Sequence, residues 1–319
     1  MATERWAGGS RASPAAQIAA TRRALKKGKM LRSMKNDLRG FTVGATDGDI
    51  GSVEELYFDD ESFTVRHLVV DTGGWLGGRK VLISPMALRD VDWVGKRITA
   101  AVTKAQVEKS PAIDTDRPVS RQHEIEYYGY YGYPSYWTGP YLWGAYPYPH
   151  PYPLSGRATN LEKERRWDWT GEGGDPHLRS SAAVTGYHIA ATDGDIGHVE
   201  DFLVDDVTWA IRYMIVDTRN WWPGKKVLVS PEWIERVDWS ESKVRVGVTR
   251  EQIKKSPEYD PSGPVERDYE TRLHDHYGRP SYRSDRRESP CRSRETRPGT
   301  GSRTQKPRRR LSGGWTKIH

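Results

Sequence analysis

Several groups of residues in this chain are of types that do chemistry. Asp47, Asp49 and Asp59 offer three carboxylates close together, the donor type that calcium prefers, but the 12-residue calcium loop with its closing Glu is absent. Glu54-Glu55 and Glu200-Asp201 are adjacent carboxylates. Neighbours on a strand point to opposite faces, so neither pair can face the other across a substrate. His274-Asp275-His276 has zinc-ligand residue types but no further Cys or His close by. Gly73-Gly74-Trp75-Leu76-Gly77-Gly78-Arg79-Lys80 looks faintly like a phosphate loop, yet it lacks G-x-x-x-x-G-K-[ST] and no helix pattern follows. Cys291 is the only cysteine, which excludes an intrachain disulfide and thiolate metal cages. The expectation is therefore no catalytic, cofactor or metal site, and a chain that is not an enzyme.

What remains for function is contact surface. The Gly73–Lys80 loop and its counterpart Arg219-Asn220-Trp221-Trp222-Pro223-Gly224-Lys225-Lys226 each carry tryptophan next to two cations. Trp75, Arg79, Lys80, Trp221, Trp222, Lys225 and Lys226 are accordingly the candidate partner contacts, since aromatic and basic side chains anchor interfaces. The bland alternative is a tryptophan lid over each core.

The elements that must position these residues are duplicated. Ala45-Thr46-Asp47-Gly48-Asp49-Ile50-Gly51 recurs as Ala191-Thr192-Asp193-Gly194-Asp195-Ile196-Gly197, and the 146-residue offset holds without a gap from Gly40/Gly186 to Tyr136/Tyr282. Asp47-Gly48 and Asp193-Gly194 are read as structural hairpin turns with both residues at positive φ. Strands follow at Val53–Phe58 with a bulge, Phe63–Asp71, Val81–Ile83, Val91–Trp93 and Ile98–Val102, with counterparts in the second copy. Thr103-Lys104-Ala105-Gln106 and Thr249-Arg250-Glu251-Gln252 are capping boxes that predict one short closing helix per copy, ending at Ser110-Pro111 and Ser256-Pro257. After each helix comes a matched arm, Pro118–Tyr136 and Pro264–Tyr282. About six short strands and one helix per copy argue for a mainly β fold of two small antiparallel barrels.

The domain plan is then a basic leader 1–33, a first barrel 34–136, a Tyr/Pro/Gly-rich linker 137–178, a second barrel 179–282 and a basic tail 283–319. Leader and tail are expected to be disordered, and the linker to fold onto the barrels. The overall charge of +7 hides a partition: residues 1–33 carry +7 and 283–319 carry +9, which leaves −9 for the repeated body. Attraction to nucleic acid or anionic membrane belongs to the ends. No apolar run approaches the roughly 20 residues of a spanning helix, so the expected location is cytoplasmic, with peripheral contact at the inner membrane. Met30 stands just before the repeat as an alternative start.

The Ala-Thr-Asp-Gly-Asp-Ile-Gly motif, the strand ends Val69-Val70-Asp71-Thr72 and Ile215-Val216-Asp217-Thr218, and Val-Leu-Ile-Ser-Pro (81–85) with Val-Leu-Val-Ser-Pro (227–231) resemble a tandem PRC-barrel domain protein over about residues 34–136 and 179–282. That family takes its name from the cytoplasmic domain of the photosynthetic reaction centre H subunit, and a related barrel closes a ribosome maturation factor. The resemblance implies a docking and scaffolding module of bacterial type, not an enzyme: a protein that binds a protein partner, with homo-oligomerisation open. The alternative is an RNA- or ribosome-associated factor using the basic ends.

Overall fold

The computed structural model describes residues 30–111, 119–150, 176–218 and 225–282. In chain order these contain β1 (Leu31–Ser33), a π turn (Met34–Leu38), β2 (Thr42–Ala45), β3 (Gly48–Asp59), β4 (Thr64–Asp71), β5 (Lys80–Ile83), β6 (Leu88–Asp92), β7 (Arg97–Ala100), α1 (Lys104–Glu108), β8 (Val119–Ser120) and α2 (Arg121–Tyr131). The second half has β9 (Pro176–Ser180), α3 (Ser181–Val184), β10 (His188–Ala191), β11 (Gly194–Asp205), β12 (Ile211–Asp217), β13 (Lys226–Val229), β14 (Ile234–Asp238), β15 (Lys243–Val246), α4 (Arg250–Lys255) and α5 (Arg267–Tyr277).

The fold is mainly β, in two sheets. One runs β5-β4-β3-β2-β7-β6 and the other β13-β12-β11-β10-β15-β14, the same order in each copy. Apolar runs such as Leu68-Val69-Val70 and Met214-Ile215-Val216 are buried on both faces, as unbroken hydrophobic strands require. Both long strands carry bulges at matched places, between Val53 and Glu55 and between Val199 and Asp201, where the apolar alternation slips.

Four expectations need correction. The described strands form no closed barrel: β5 and β6 end one strand path, β13 and β14 the other. Between β5 and β6, Ser84-Pro85 starts a 3₁₀ turn with the Ser84 side chain capping it, so the chain leaves the sheet instead of closing it. The edge of β5 is covered by a side chain: Tyr127 of α2 donates to Leu82 O (3.0 Å) and accepts from Ser84 N (3.2 Å). Second, the sheets are not wholly antiparallel, because β2 pairs with β7 and β10 with β15 in parallel. Third, each arm is a second helix. Ser120 caps α2, and Gly132 and Gly278 end α2 and α5 in the left-handed conformation that glycine takes without strain. Fourth, the tight loops are Thr46-Asp47 and Thr192-Asp193, with Gly48 and Gly194 the first strand residues at φ 142° and 141°; neither aspartate has positive φ.

The two copies exchange strands. β1, ahead of the first copy, pairs with β11 of the second, and β9, ahead of the second copy, pairs with β3 of the first. Each leading strand reads Leu-Arg-Ser: Leu31-Arg32-Ser33 and Leu178-Arg179-Ser180. Their offset is 147, one more than the rest of the repeat. The extra residue sits in the following turn, which is a five-residue π turn in the first copy and a four-residue α turn (α3) in the second. Ser180 donates to Glu55 and Ser33 to the matched Asp201 (2.5 Å), so each exchanged strand is pinned to the other copy's long strand. Arg32 lies over the Trp93 ring and pairs with Asp206; Arg179 lies over Trp239 and pairs with Asp60. Each arginine thereby holds an aromatic of its own copy and a carboxylate of the other.

Near the pseudo-twofold between the copies, Thr64 bridges its own counterpart Ala210, and Val65 N–Trp209 O (2.8 Å) and Ile211 N–Phe63 O (2.7 Å) form a reciprocal pair of bonds. Phe63 and Trp209 both take positive φ there (49° and 60°), a conformation that bulky residues adopt only when their surroundings impose it. Buried side chains from both copies form one continuous cluster, with Phe58 and Phe202 in contact across the join. Among the described residues no helix is long and apolar enough to cross a membrane.

Candidate functional site

The residues singled out for contact are placed as follows. Trp75 is half-buried; its indole N–H donates to Ile50 O and Lys104 Nζ lies 4.2 Å from its ring centroid. Arg79 donates to the carbonyls of Glu108 (3.0 Å) and Ser110 (2.7 Å), completing the end of α1. Lys225 does the same for Lys254 and Ser256 after α4. Lys80 pairs with Glu54 and Lys226 with the matched Glu200. Trp221 and Trp222 lie outside the described residues, as do residues 1–29 of the leader, the tail and most of the charged part of the linker; the last leader residues, Leu31–Ser33, are corrected from disorder to strand β1. Asp47 and Asp193 accept from the backbone of Lys104 (2.8 Å) and Arg250 (2.7 Å), so these turn carboxylates cap α1 and α4 at the positive end of each helix. Asp49 and Asp195 pair with Arg97 and Lys243.

The structure brings together a cluster that spacing alone does not announce. On β4 the buried run includes Arg66 and His67; α2 supplies Arg121 and Glu124; Tyr136 follows α2, and His177 comes from the exchanged β9. Glu124 is 0% exposed and lies at the centre. It accepts from Tyr136 (2.9 Å to each oxygen), from His177 Nε2 (2.5 Å) and from Arg121 (3.1 Å), while His67 Nε2 is 3.7 Å away, at charge-pair distance. Burial opposes ionisation of Glu124, but the bond from His177, the nearby His67 ring and the charge on Arg121 outweigh it and hold the carboxyl at about 2. Burial pushes His67 below its ordinary value despite the carboxylate beside it.

Arg66 stacks 3.5 Å from the Tyr136 ring centroid and 4.9 Å from that of Trp143, reaches Asp59 (3.4 Å) and donates to Leu142 O (2.5 Å). Trp143, from the linker, is 1% exposed and donates its indole N–H to Thr208 O in the second copy (2.8 Å). The Leu142-Trp143 stretch of the linker therefore seals this cluster.

The second copy repeats the frame with different fittings. Arg212, Asp205, Glu270 and Tyr282 occupy the places of Arg66, Asp59, Glu124 and Tyr136. Glu270 accepts from Tyr282 (2.8 Å) and Tyr213 (3.3 Å); the Tyr213 hydroxyl lies 2.8 Å from His274 Nε2. Tyr213 stands where the first copy has His67, Met30 where it has His177, and Arg267, the counterpart of Arg121, is exposed. His276 turns away to Gln252 O (2.7 Å), so it and His274 do not converge, as a two-residue separation on a helix dictates. Both copies thus place an Arg–Glu–Tyr group at matched positions, buried throughout in the first and with Arg212 and Tyr282 partly exposed in the second. Its sequence signal is that all of these residues match at the 146-residue offset, although polar residues scattered over a hundred positions do not look like a cluster until the sheet folds.

Beside the second cluster lies a pocket of about 560 Å³, lined by Asp60–Phe63 of the first copy, by Arg212 and Tyr282, and by residues of the β14 region including Glu232, Ile234 and Trp239. The Arg212 side chain is 17% exposed, against 2% for Arg66.

A model of the PRC-barrel domain family matches residues 34–107, from the π turn to near the end of α1. No curated protein matches the chain. The matched segment carries β2–β7, whose strand order the second copy repeats.

Proposed function

We propose that the chain is a non-enzymatic docking protein built from two PRC-barrel-type copies, the second as well as the matched first, that presents surface to a protein partner. The observation that carries this reading is the placement of the ionisable clusters. The first ties exchanged strand, arm and linker to its sheet, the second ties arm to sheet, and Glu124 and Glu270 are at most 1% exposed. A buried ion cluster fixes one arrangement of its elements, whereas a catalytic carboxylate needs room for a substrate. The matched family model supports a scaffold or interaction module in the first copy. The loops at Trp75 and Trp221-Trp222 are the proposed contacts, with peripheral placement at a membrane face and kinship to reaction-centre H-type assembly as the finer form of the reading. Strand exchange within one chain already pairs two copies, which supports a monomer.

Affinity capture with the full chain, compared with Trp75→Ala and Trp221→Ala/Trp222→Ala, tests this. Loss of one reproducible protein partner from a variant is expected, and undiminished recovery from both removes these contacts. The second reading, nucleic-acid binding by the basic ends, rests on the charge partition. It predicts affinity that falls steeply with salt and disappears on deletion of 283–319.

A further inference from the structure

The pocket of the second copy is the counterpart of the place that Trp143 fills in the first. Trp143 touches Arg66, Tyr136 and Thr208; the residues at the same repeat positions are Arg212, Tyr282 and Ser62, and all three line the pocket. Only a 146-residue shift separates the filled site from the open one, so the filled site shows what the open one is shaped to hold. An indole there would lie beside the Tyr282 ring, face the Arg212 guanidinium 4.3 Å from that ring, and have the Ser62 carbonyl where Trp143 finds that of Thr208.

We propose that this pocket is a docking site for a tryptophan-bearing segment of a protein partner, of the form aliphatic–Trp–Gly with basic flanks. The inference rests on the docking reading above and names the chemistry of the partner. The aliphatic residue follows from Leu142, which precedes Trp143 and whose carbonyl binds Arg66; Ile234, Val237 and Phe63 give the same residue an apolar wall in the pocket. The basic flanks follow from charge. Asp60, Glu61, Glu232 and Glu235 line the pocket against Arg212 and Arg236, and Asp60 is already paired with Arg179. None of the chain's tryptophans outside the described residues (Trp6, Trp167, Trp169, Trp221, Trp222 and Trp315) stands in an aliphatic–Trp–Gly sequence, so the occupant is assigned to a partner.

The probe is a synthetic peptide copying residues 139–146 with two added lysines, titrated against the full-length chain, beside the same peptide with alanine at the tryptophan. At least tenfold tighter binding of the tryptophan peptide is expected, and a photoreactive group at the tryptophan position should cross-link to 60–63 and 231–239. Arg212→Lys keeps the charge but loses the planar stacking surface, and should weaken the peptide several-fold at a temperature where circular dichroism shows the variant folded. Equal binding of the two peptides, or cross-links to the Trp143 site or elsewhere, overturns the proposal. Binding that emerges only in a Trp315→Ala chain also overturns it, because the occupant is then the chain's own tail. The peptide result is independent of the capture experiment, so failure of one leaves the other standing.

Discussion

The two copies share a strand order, a pair of capping boxes and an Arg–Glu–Tyr frame around a buried glutamate, yet one is sealed and the other open. In the first, Glu124 is ringed by His177, Tyr136 and Arg121, with His67 close by, and an indole covers Arg66. In the second, the histidine places are taken by Tyr213 and Met30, and among the described residues no indole stacks on Arg212, although Leu142 of the linker lines the same pocket. The shared frame is what the fold needs; the differing fittings mark where the copies diverge in role. Duplicated sheets held by exchanged strands must keep the residues that pin the exchange, and those are the ones that match: Ser33 with Ser180, Arg32 with Arg179, and Glu55 with Asp201.

The largest expected effect breaks the comparison at its centre. Glu124→Ala removes the carboxylate that accepts from His177 and Arg121, and should cost about 3–5 kcal/mol, as loss of one member of a buried ion cluster does. Glu270→Ala, whose described partners are hydroxyls, should cost about 1–3 kcal/mol. Urea midpoints of the two variants check the order, and equal losses would mean that the clusters do the same job. Next, Trp143→Ala should cost about 3 kcal/mol through the cavity it leaves and should raise the exposure of Arg66 toward that of Arg212. Thermal unfolding and ligand-free solvent accessibility by chemical modification of arginine read this out.

The pH response sharpens the same contrast. His67 has a folded value below its ordinary 6.5, so the unfolded chain takes up the proton first and stability falls as pH drops below 6.5. Glu124, held at about 2 against an ordinary 4.5, adds a second loss between about 4.5 and 2. His67→Gln should flatten the upper step and leave the lower one, and a stability curve unchanged between pH 7 and 5 in the native chain would contradict it. The smallest effect is at the pins. Ser33→Ala and Ser180→Ala each remove a turn cap and a bond to a carboxylate, and each should cost about 1–2 kcal/mol.

Much of each copy was legible because its signals are local. The capping boxes at Thr103 and Thr249, the apolar runs of β4 and β12 and the proline stop after β5 each depend on a few neighbouring residues, and each formed as its pattern implies. The arms were not read as helices, because Tyr127, Tyr128, Tyr130 and Tyr131 crowd α2 and obscure any helical stripe. Strand exchange was hidden for a simpler reason. Leu-Arg-Ser recurs at an offset of 147, and a repeat sought at 146 stops at Gly40. The buried cluster escaped because its members come from β4, α2, the segment after α2 and β9, and only tertiary pairing brings them together. The turn aspartates were assigned to hairpin geometry, whereas their carboxylates hold helix termini nearly sixty residues away.

Reciprocal strand exchange makes the two copies one cooperative body, and native-state hydrogen exchange on Leu31→Ala tests this most directly. Leu31 precedes the first copy but pairs with Asp205 of the second. The result predicted is an equal drop in the opening free energy of amides in β3 and β11. A drop confined to either strand would show that the copies unfold independently and would contradict the exchange as the basis of the fold.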